Sequence, residues 1–436
     1  MIFKSEIVKA QWDTWCYYHD GIYFLYYLIT EHSPGEGFGV ATSRDGVHWT
    51  DHGWAVSASD KMVNFLGTGS VWPDPTHPGR FLCNYSEFRL DESDKQRQCI
   101  LFAWSDDLIN WTKYGDDYMF RIDERYYERY GRWDCIFAVP RPEGGYFGTW
   151  TATPRDRERL SGGIGFGVSE DGLHWQALSP AQIIPDADES GAIVQIDNRI
   201  HAMFGSFGHE TEAGMHAYHA DGKDGPYRRA EKNGCLLKAW HSYFSRYFDT
   251  PDGVLVNHHA MNGRKLENGR PVTYLAPFKK LTIDEEGFQR WVWWPGNEKI
   301  KGTRIEPYEE ADFQKGIIIE GELVFSANRE YAEVRIALDN EIFAIQVLET
   351  GVVKFRWYDP EKEIWVLLQT ADRQLKSGEK SSFRLLARCG MLEFYCDDMF
   401  MECCTLGHPE APCIRFLEPE ESNGLQEKVY AWQMDV

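Results

Sequence analysis

The segments GFGVATSRDGVHWTDHG (37–53), CILFAWSDDLINWTKYG (99–115) and GIGFGVSEDGLHWQALS (163–179) are near-copies of one another, and GMHAYHADGKDGPYRRA (214–230) is a degenerate fourth copy. Each close copy is an alternating apolar strand, followed by a Ser-x-Asp-Gly or Ser-Asp-Asp turn and then by a Trp. Because Asp-Gly is a strong signal for a tight turn, each copy predicts a β-hairpin. A four-stranded unit that recurs every ~40–65 residues is typical of a β-propeller blade. The repeats therefore predict a propeller, in which the innermost strand of every blade lines one central funnel.

The spacing of the candidate inner strands predicts five blades. These strands begin near Gln11, Phe65, Gly131, Asp186 and Ser242. The equivalent positions along them are Asp13, Ser70, Asp134, Glu189 and Phe244. The steps between these positions are 57, 64, 55 and 55 residues. Such a near-constant step indicates that equivalent side chains face one axis.

The rhythm of the sequence changes near residue 311. A chain of 436 residues is too long for one ordinary core, so two domains are expected. Beyond 311, evenly spaced alternating strands and turns such as Asp339-Asn340 and Asp397-Asp398 predict one β-sandwich. We therefore predict an all-β protein with a five-bladed β-propeller over 1–295, a linker over 296–310 and a C-terminal β-sandwich over 311–436.

The composition limits the classes of molecule that the protein is expected to bind. Lys and Arg number 46 and Asp and Glu number 68, which gives a net charge of −22. Nucleic acid and anionic membranes both require a basic surface, so neither is expected as a partner. A carbohydrate substrate, either an oligosaccharide or a small glycoside, fits this charge and the aromatic content of 15%. The sandwich could also join two copies of the chain into a homo-oligomer.

The cysteines and the N-terminal sequence indicate the cellular location to expect for the protein. The ten cysteines have no paired metal-ligand spacing such as Cys-x-x-Cys, so neither a metal site nor a cofactor is expected. The N-terminal MIFKSEIVKAQWDTW has no apolar stretch of signal-peptide length, and no run of ~20 apolar residues exists. Reduced thiols in a cytoplasmic protein are therefore expected. A secreted protein from which the signal has been removed would give the same sequence.

Three of the five equivalent positions carry carboxylates: Asp13, Asp134 and Glu189. Each precedes an apolar strand, where a carboxylate is costly unless a cleft solvates it or hydrogen bonds hold it. Three carboxylates in one funnel suit glycosidic-bond chemistry, in which one attacks the anomeric carbon or activates water, one protonates the leaving oxygen, and one stabilises the oxocarbenium-like transition state. Burial and mutual repulsion would raise the pKa of one of them. A turn-capping role is the alternative for each, and Asp186 and Asp188 are alternatives to Glu189 as the acid.

Further candidates for substrate contact surround these carboxylates. Indole rings can stack on a sugar face, and arginines can orient hydroxyls or neutralise the carboxylates; blade packing and structural ion pairs are the alternatives. His258 and His259 alternate along a strand, so only one of them can face the funnel. The predicted substrate-binding residues are Trp12, Trp15, Ser70, Trp72, Arg132, Arg246 and His258.

The carboxylate motifs resemble those of glycoside hydrolase family 32, the β-fructofuranosidase, invertase and inulinase group, and of the related family 43. The family's Trp-x-Asn-Asp-Pro-Asn-Gly motif is similar in part to Gln11-Trp12-Asp13-Thr14-Trp15, and its Phe-Ser-Gly-Ser to Leu66-Gly67-Thr68-Gly69-Ser70. Arg132-Trp133-Asp134-Cys135 stands where the family has Arg-Asp-Pro, and Glu189-Ser190 where it has Glu-Cys. The C-terminal sandwich makes family 32 the more similar of the two.

By this resemblance Asp13 would be the nucleophile, Asp134 the transition-state stabiliser and Glu189 the acid/base of a retaining β-fructofuranosidase-like enzyme. If the chain instead behaves like family 43, Asp13 would be a general base and the reaction would invert, as in an arabinofuranosidase. A non-catalytic carbohydrate-binding propeller, whose carboxylates only hold sugar hydroxyls, is a third interpretation. The partial motif match leaves all three open.

Overall fold

The computed structural model consists almost entirely of antiparallel strands. It describes residues 1–30, 36–155, 163–180, 184, 186–209, 212–223, 225–238, 242–325, 330–373, 380–418 and 428–436. The helices in this part of the chain are two short 3-10 helices, Asp116–Tyr118 and Pro295–Ile300. No helix within the described ranges is long and apolar enough to span a membrane.

Strands β1 to β22 form five blades in chain order. Blade one contains β1 (Gln11–His19), β2 (Ile22–Thr30), β3 (Glu36–Ser43) and β4 (Thr50–Ser57). Blade two contains β5 (Met62–Pro73), β6 (Phe81–Leu90), β7 (Gln96–Ser105) and β8 (Thr112–Lys113). Blade three contains β9 (Trp133–Pro140), β10 (Tyr146–Ala152), β11 (Ile164–Ser169) and β12 (Trp175–Ala177). Blade four contains β13 (Glu189–Ile196), β14 (Arg199–Ser206), β15 (Gly214–Ala220), β16 (Arg228–Arg229) and β17 (Cys235–Lys238). Blade five contains β18 (Ser242–Thr250), β19 (Gly253–Lys265), β20 (Pro271–Leu275), β21 (Lys279–Ile283) and β22 (Gln289–Trp293).

The first strand of each blade is its inner strand. Within a blade the strands pair antiparallel from the inner strand outward, with β17 added to β15 and β20 added to β19. The inner strands β1, β5, β9, β13 and β18 contact one another in a closed ring, because β18 also contacts β1. The prediction of five blades around one axis is confirmed.

The near-copies quoted above are the outer hairpins of blades one to four, β3–β4, β7–β8, β11–β12 and β15–β16. In the first copy Asp45 accepts the backbone N–H groups of Val47 and His48 at 3.0 and 2.9 Å. Asp107 and Asp171 accept the equivalent pairs of amides in the next two copies. These carboxylates satisfy turn amides, which is the usual role of Asp in such turns.

Strands β23 to β34 build the sandwich. They are β23 (Lys301–Ile305), β24 (Glu310–Asp312), β25 (Ile317–Val324), β26 (Ala332–Leu338), β27 (Glu341–Val347), β28 (Val352–Asp359), β29 (Ile364–Asp372), β30 (Lys380–Arg388), β31 (Met391–Cys396), β32 (Met399–Thr405), β33 (Cys413–Phe416) and β34 (Tyr430–Met434). One sheet has the order β32-β31-β30-β25-β34-β23 and the other β24-β33-β26-β27-β28-β29. The linker prediction is wrong for residues 301–305, because β23 pairs with β34 as the edge strand of the first sheet.

The two domains share a continuous boundary. Val292 of the fifth blade pairs with Met399 of β32, so the blade and one sandwich sheet run on as a single sheet. On β32 Cys403 packs into the core on the propeller side and Cys404 into the core between the sandwich sheets. This alternation is what the adjacent cysteines predict for a strand that is buried on both faces. All ten cysteines are free thiols.

Candidate active site

Each inner strand is interrupted near the end that carries the predicted carboxylates. In β1 the pairing shifts between Trp12 and Thr14, so Asp13 has no partner on β2 and adopts a φ of 22°. In β9 the shift lies just beyond Asp134, and in β13 just beyond Ser190. Equivalent irregularities occur in β5 and β18. A β-bulge bends its strand and re-aims side chains, so these positions can direct carboxylates into the channel.

A polar side chain on the second strand of an adjacent blade holds the backbone just after each carboxylate. The three pairs are Asn257 with the carbonyl of Thr14 at 2.8 Å, Asn84 with both backbone groups of Ile136 at 2.9 Å, and Thr151 with the amide of Ser190 at 3.0 Å. Backbone groups at a bulge have left the strand ladder and need other partners when buried. These side chains supply the partners, and they thereby fix the three carboxylates relative to one another.

Asp134 is held on both oxygens and is only 2% exposed. Its Oδ1 accepts the hydroxyl of Ser86, and its Oδ2 accepts Arg132 Nη2 at 2.9 Å. Gly67 on the neighbouring inner strand makes room for this group, because a Cβ at that position would collide with the Asp134 carboxylate and with Ser86. Asp134 is therefore a rigid, oriented carboxylate.

Glu189 opens β13 and keeps 18% of its side chain exposed. Its Oε1 lies 3.3 Å from Arg132 Nη2, and its Oε2 accepts the hydroxyl of Tyr243. One guanidinium nitrogen therefore bridges Asp134 and Glu189 and brings both carboxylates to one site. Asp188, the alternative acid, instead accepts a backbone amide at 2.9 Å and is fully buried.

Asp13 has an oxygen that no protein group occupies. Its buried Oδ1 has no hydrogen-bond partner among the residues that the structure describes. Burial, the charge of Glu189 and then that of Asp134 raise the pKa of Asp13 to about 7, against the opposing charges of Arg246 and Arg270. A carboxyl that titrates near neutral pH and has a free oxygen suits a nucleophile or a general base.

Three arginines partly neutralise the three carboxylates. Arg132 bridges two of them, and Arg246 is 3% exposed. Arg246 donates to the carbonyl of Gly191 at 2.8 Å, and its guanidinium lies 4.9 Å from the centre of the Phe244 ring. The charges of Asp13, Asp134 and Glu189 all act on Arg246, and the charge of Arg270 also acts on Asp13. Burial and the neighbouring carboxylates still outweigh these arginines at Asp13, whose pKa is raised.

Trp12 is the predicted aromatic residue that flanks the site. It is half-buried beside Asp13, its ring lies 4.6 Å from that of His259, and the Arg270 guanidinium lies 6.0 Å from its centre. The indole therefore packs beside two groups of the fifth blade. Its contact with a sugar stays a prediction.

Trp15, Ser70 and Trp72 line a cavity of about 480 Å³ that Arg246 also lines. Trp15 is 2% exposed and stacks on Tyr26 with ring centroids 5.1 Å apart. Ser70 Oγ donates to a blade-three carbonyl at 2.8 Å, and the Trp72 indole donates to the carbonyl of Gly172 at 3.2 Å. The contact of these three side chains with a substrate stays a prediction.

His258 also lies outside the site. It is fully buried on the sandwich side of β19, and its Nε2 lies 2.6 Å from Lys279 Nζ. Since neighbouring strand residues point to opposite faces, His259 takes the position against Trp12. The expectation that only one histidine faces the funnel was correct, but the choice of His258 was wrong.

Sequence reasoning missed four residues that touch or flank the carboxylates. They are Gly67, Ser86, Tyr243 and Arg270. Ser86 carries a readable signal, since Asn84 and Ser86 interrupt the apolar run that begins at Phe81. Tyr243 lies within a predicted inner strand, but its contact depends on the bulge in β18. A β-bulge leaves no signal that can be recognised in one amino-acid sequence.

A family comparison agrees with this geometry. Residues 14–130 match the model of the Glycosyl hydrolases family 32 N-terminal domain. This match confirms the resemblance to family 32. It also confirms the prediction that the enzyme is a glycosidase. All three carboxylates lie outside the matched range, so their individual roles rest on the geometry of the site. No curated protein sequence matches the chain.

Solved structures share the whole architecture. Sucrose-6-phosphate hydrolase from Lactobacillus gasseri is 15% identical with a TM-score of 0.74, over 98% of this chain and 91% of that one. Fructan 1-exohydrolase IIa from Cichorium intybus is 13% identical with a TM-score of 0.72, over 99% and 96%. Exo-inulinase from Aspergillus awamori is 12% identical with a TM-score of 0.71, over 100% and 97%. At this level of identity the likeness establishes a common fold.

Proposed function

We propose that the protein is a retaining glycosidase of the β-fructofuranosidase type, with Asp13 as nucleophile, Asp134 as transition-state stabiliser and Glu189 as acid/base. The observation that carries the proposal is the convergence of these carboxylates from three blades on one site. Asp13 keeps a buried oxygen there that has no partner among the described residues. Carboxylates with such an oxygen are suited to chemistry at an anomeric carbon.

The different surroundings of Asp13 and Glu189 suit the two reacting carboxylates to different steps. Asp13 offers its unpartnered Oδ1 to the anomeric carbon, and a glycosyl ester forms as the leaving oxygen departs. Glu189, oriented by Tyr243 and Arg132, gives its proton to that oxygen. Glu189 then takes a proton from water, which attacks the same carbon and releases Asp13. Two displacements at one carbon retain the configuration.

Asp134 supports this reaction without forming a bond. Ser86 and Arg132 fix its carboxylate, so its charge is oriented before substrate arrives. Preorganised charge stabilises the positive charge that develops on the sugar ring, and it requires no reorganisation at that moment.

A neutral furanoside is the substrate class that we infer. The solved structures of similar fold include a fructofuranosidase from Schwanniomyces occidentalis complexed with fructosylnystose and a fructan 1-exohydrolase complexed with 1-kestose, which supports a β-fructoside. The half-buried Trp12 indole offers a face for the sugar or for its leaving group.

The test is a hydrolysis screen of the purified protein on sucrose, inulin, levan oligosaccharides and an aryl α-L-arabinofuranoside. The screen includes Glu189→Gln and a matched control, Glu170→Gln, which changes a glutamate that is 81% exposed in the turn between β11 and β12. We expect fructose release that is lost in Glu189→Gln and kept in Glu170→Gln. Cleavage of the arabinoside alone, or no cleavage of any substrate, would overturn the proposal. Proton NMR of the first-formed anomer tests retention.

A further inference from the structure

A fully buried charged cluster lies where the fifth blade meets the sandwich. It contains Lys279 of β21, His258 of β19 and Glu393 of β31, and none of them is exposed to solvent. Lys279 Nζ lies 2.6 Å from Glu393 Oε1, 2.6 Å from His258 Nε2 and 2.7 Å from the carbonyl of Pro277. Each of the three ammonium protons therefore has an acceptor. Tyr395 donates to the other oxygen of Glu393 at 2.8 Å.

The charge of Lys279 sets the direction of the hydrogen bonds beyond it. An ammonium group only donates, so His258 Nε2 must accept and the ring proton lies on Nδ1. Nδ1 lies 2.7 Å from Ser242 Oγ, and the Ser242 hydroxyl donates onward to the carbonyl of His259. Burial and then the charge of Lys279 lower the pKa of His258 to about 4, so the ring is neutral at pH 7.

This directed chain ends at the active site. Ser242 directly precedes Tyr243, whose hydroxyl donates to Glu189. His259, which accepts from Ser242 through its carbonyl, packs its ring against Trp12. The register of β18 shifts between Ser242 and Ser245, so Tyr243 has no partner in the strand ladder. The chain of donors from the sandwich therefore fixes the segment that carries Tyr243.

We propose that Glu393 of the sandwich is a positioning residue for glycoside cleavage, which acts through Lys279, His258 and Ser242 on the orientation of Tyr243 and so of the Glu189 carboxyl. The inference rests on the proposed role of Glu189 as acid/base. Glu393 touches no reacting atom. The charged and titratable groups that face Glu189 are Arg132, Arg246, Asp13, Asp134 and Tyr243, and all of them belong to the propeller.

The primary test is Glu393→Gln, which keeps the shape and removes the charge. Lys279 then lacks its counter-ion, and a neutral amine can accept as well as donate, so the chain loses its fixed direction. A misplaced acid weakens only the transition state, so we expect kcat on sucrose to fall about tenfold to a hundredfold with KM changed less than about twofold. With 4-nitrophenyl β-fructofuranoside, whose leaving group needs no proton, the loss in kcat/KM, which reports the first displacement, should be much smaller.

Glu402→Gln is the matched control. Glu402 is also fully buried at the boundary between the domains, on the neighbouring strand β32, but its partners are Arg373 and backbone amides. Within the described residues it makes no hydrogen bond to Ser242 or Tyr243, and its charge acts on Lys279 less strongly than that of Glu393 does. We expect Glu402→Gln to keep the wild-type kcat on both substrates, even if it unfolds at a lower temperature. Ser242→Ala is a second test. It removes the hydroxyl that connects His258 with the carbonyl of His259, and it leaves the ion pair of Lys279 and Glu393 intact. It should show the same dependence on the leaving group.

A measurement without substrate separates this inference from the proposed function. Histidine 15N NMR of the folded protein, assigned with His258→Gln, should show His258 protonated on Nδ1 in the wild type and a changed tautomer in Glu393→Gln. If the wild type cleaves sucrose but Glu393→Gln and Ser242→Ala match Glu402→Gln on both substrates, the inference is wrong and the function stands. If the wild type cleaves neither substrate, the function fails. An Nε2-protonated His258 in the wild type overturns the inference in either case.

Discussion

The protein has two clusters of charged groups, one in the propeller channel and one at the boundary with the sandwich, and their surroundings shift carboxyl pKa values in opposite directions. In the channel, burial and the charges of Glu189 and Asp134 raise the pKa of Asp13 to about 7. At the domain boundary, burial opposes the ionisation of Glu393, but the charge of Lys279 outweighs it and lowers the pKa of that carboxyl to about 2.

The difference shows how one fold separates reactive from structural carboxylates. The boundary cluster balances its charges and gives every ammonium proton an acceptor. The channel cluster leaves one oxygen of Asp13 without a partner among the described residues, and it raises the pKa of that carboxyl. Burial alone therefore does not identify a reactive group in this protein. A raised carboxyl pKa together with an unused acceptor does, since they leave binding capacity for a proton or a substrate.

The largest expected effect is the loss of turnover in Asp13→Asn. An amide cannot form the glycosyl ester, so kcat should fall by about 10⁴-fold while the ligand still binds. Steady-state kinetics on the best substrate of the screen measures the loss. Asp20→Asn is the control, because Asp20 is an exposed turn residue with a φ of 45° that Asn also tolerates. Equal activity of Asp13→Asn and Asp20→Asn would show that Asp13 is not a reactive group.

The next effect concerns the balanced cluster. Lys279→Met leaves Glu393 charged and buried without its partner, so the free energy of unfolding should fall by about 3–5 kcal/mol. Urea unfolding at pH 7 measures it. Lys61→Met is the comparison, since the Lys61 side chain is 66% exposed in its pair with Asp116. Removing this pair should cost less than about 1 kcal/mol. A small effect in both variants would show that the boundary cluster is not a structural ion pair.

A smaller effect of opposite sign is expected for the stability of Asp13→Asn. The folded-state pKa of Asp13 lies near 7, above its ordinary value of 3.8. The group therefore supports the folded state fully below about pH 3.8, and this support is lost as the pH rises through 7. Asn cannot ionise, so Asp13→Asn should be more stable than the wild type by about 2–4 kcal/mol at pH 8 and equal to it at pH 3.5. Thermal unfolding at both pH values measures the difference. Equal stability at pH 8 would contradict the raised pKa.

The smallest expected effect is a shift of the acid limb in the pH profile of kcat/KM for Glu189→Gln. The charge of Glu189 helps to raise the pKa of Asp13, and Gln at that position has no charge. In Glu189→Gln the acid limb of kcat/KM for 4-nitrophenyl β-fructofuranoside should therefore move to lower pH than in the wild type. Glu170→Gln should leave the limb in place. A limb that moves to higher pH would mean that the two carboxylates are not coupled as the geometry requires.

The fold could be predicted because its signals are local and repeated. Three Ser-x-Asp turns each bind the amides two and three residues ahead, and this chemistry is visible in the sequence. The near-constant step between inner strands then placed Asp13, Asp134 and Glu189 at equivalent positions. The edge strand β23 was missed because its five residues lie directly after a segment rich in charge, Pro and Gly.

The site was only partly predictable because bulges decide which side chains reach the channel. Strict alternation does not tell which of His258 and His259 faces Trp12, and it does not reveal the contact of Tyr243 with Glu189. Trp15 and Trp72 have the residue type of sugar-stacking groups but fill the packing between strands. Residue type was therefore a weaker guide than position relative to a bulge.

The covalent role of Asp13 is tested most directly by trapping the intermediate. Glu189→Gln should release 4-nitrophenol from 4-nitrophenyl β-fructofuranoside but should hydrolyse the glycosyl ester slowly, because it lacks the base for the second step. Mass spectrometry of the digested protein is then expected to find the fructosyl group on the peptide that contains Asp13. Release of the phenol with an unmodified Asp13 peptide and a first-formed sugar of inverted configuration would contradict the account.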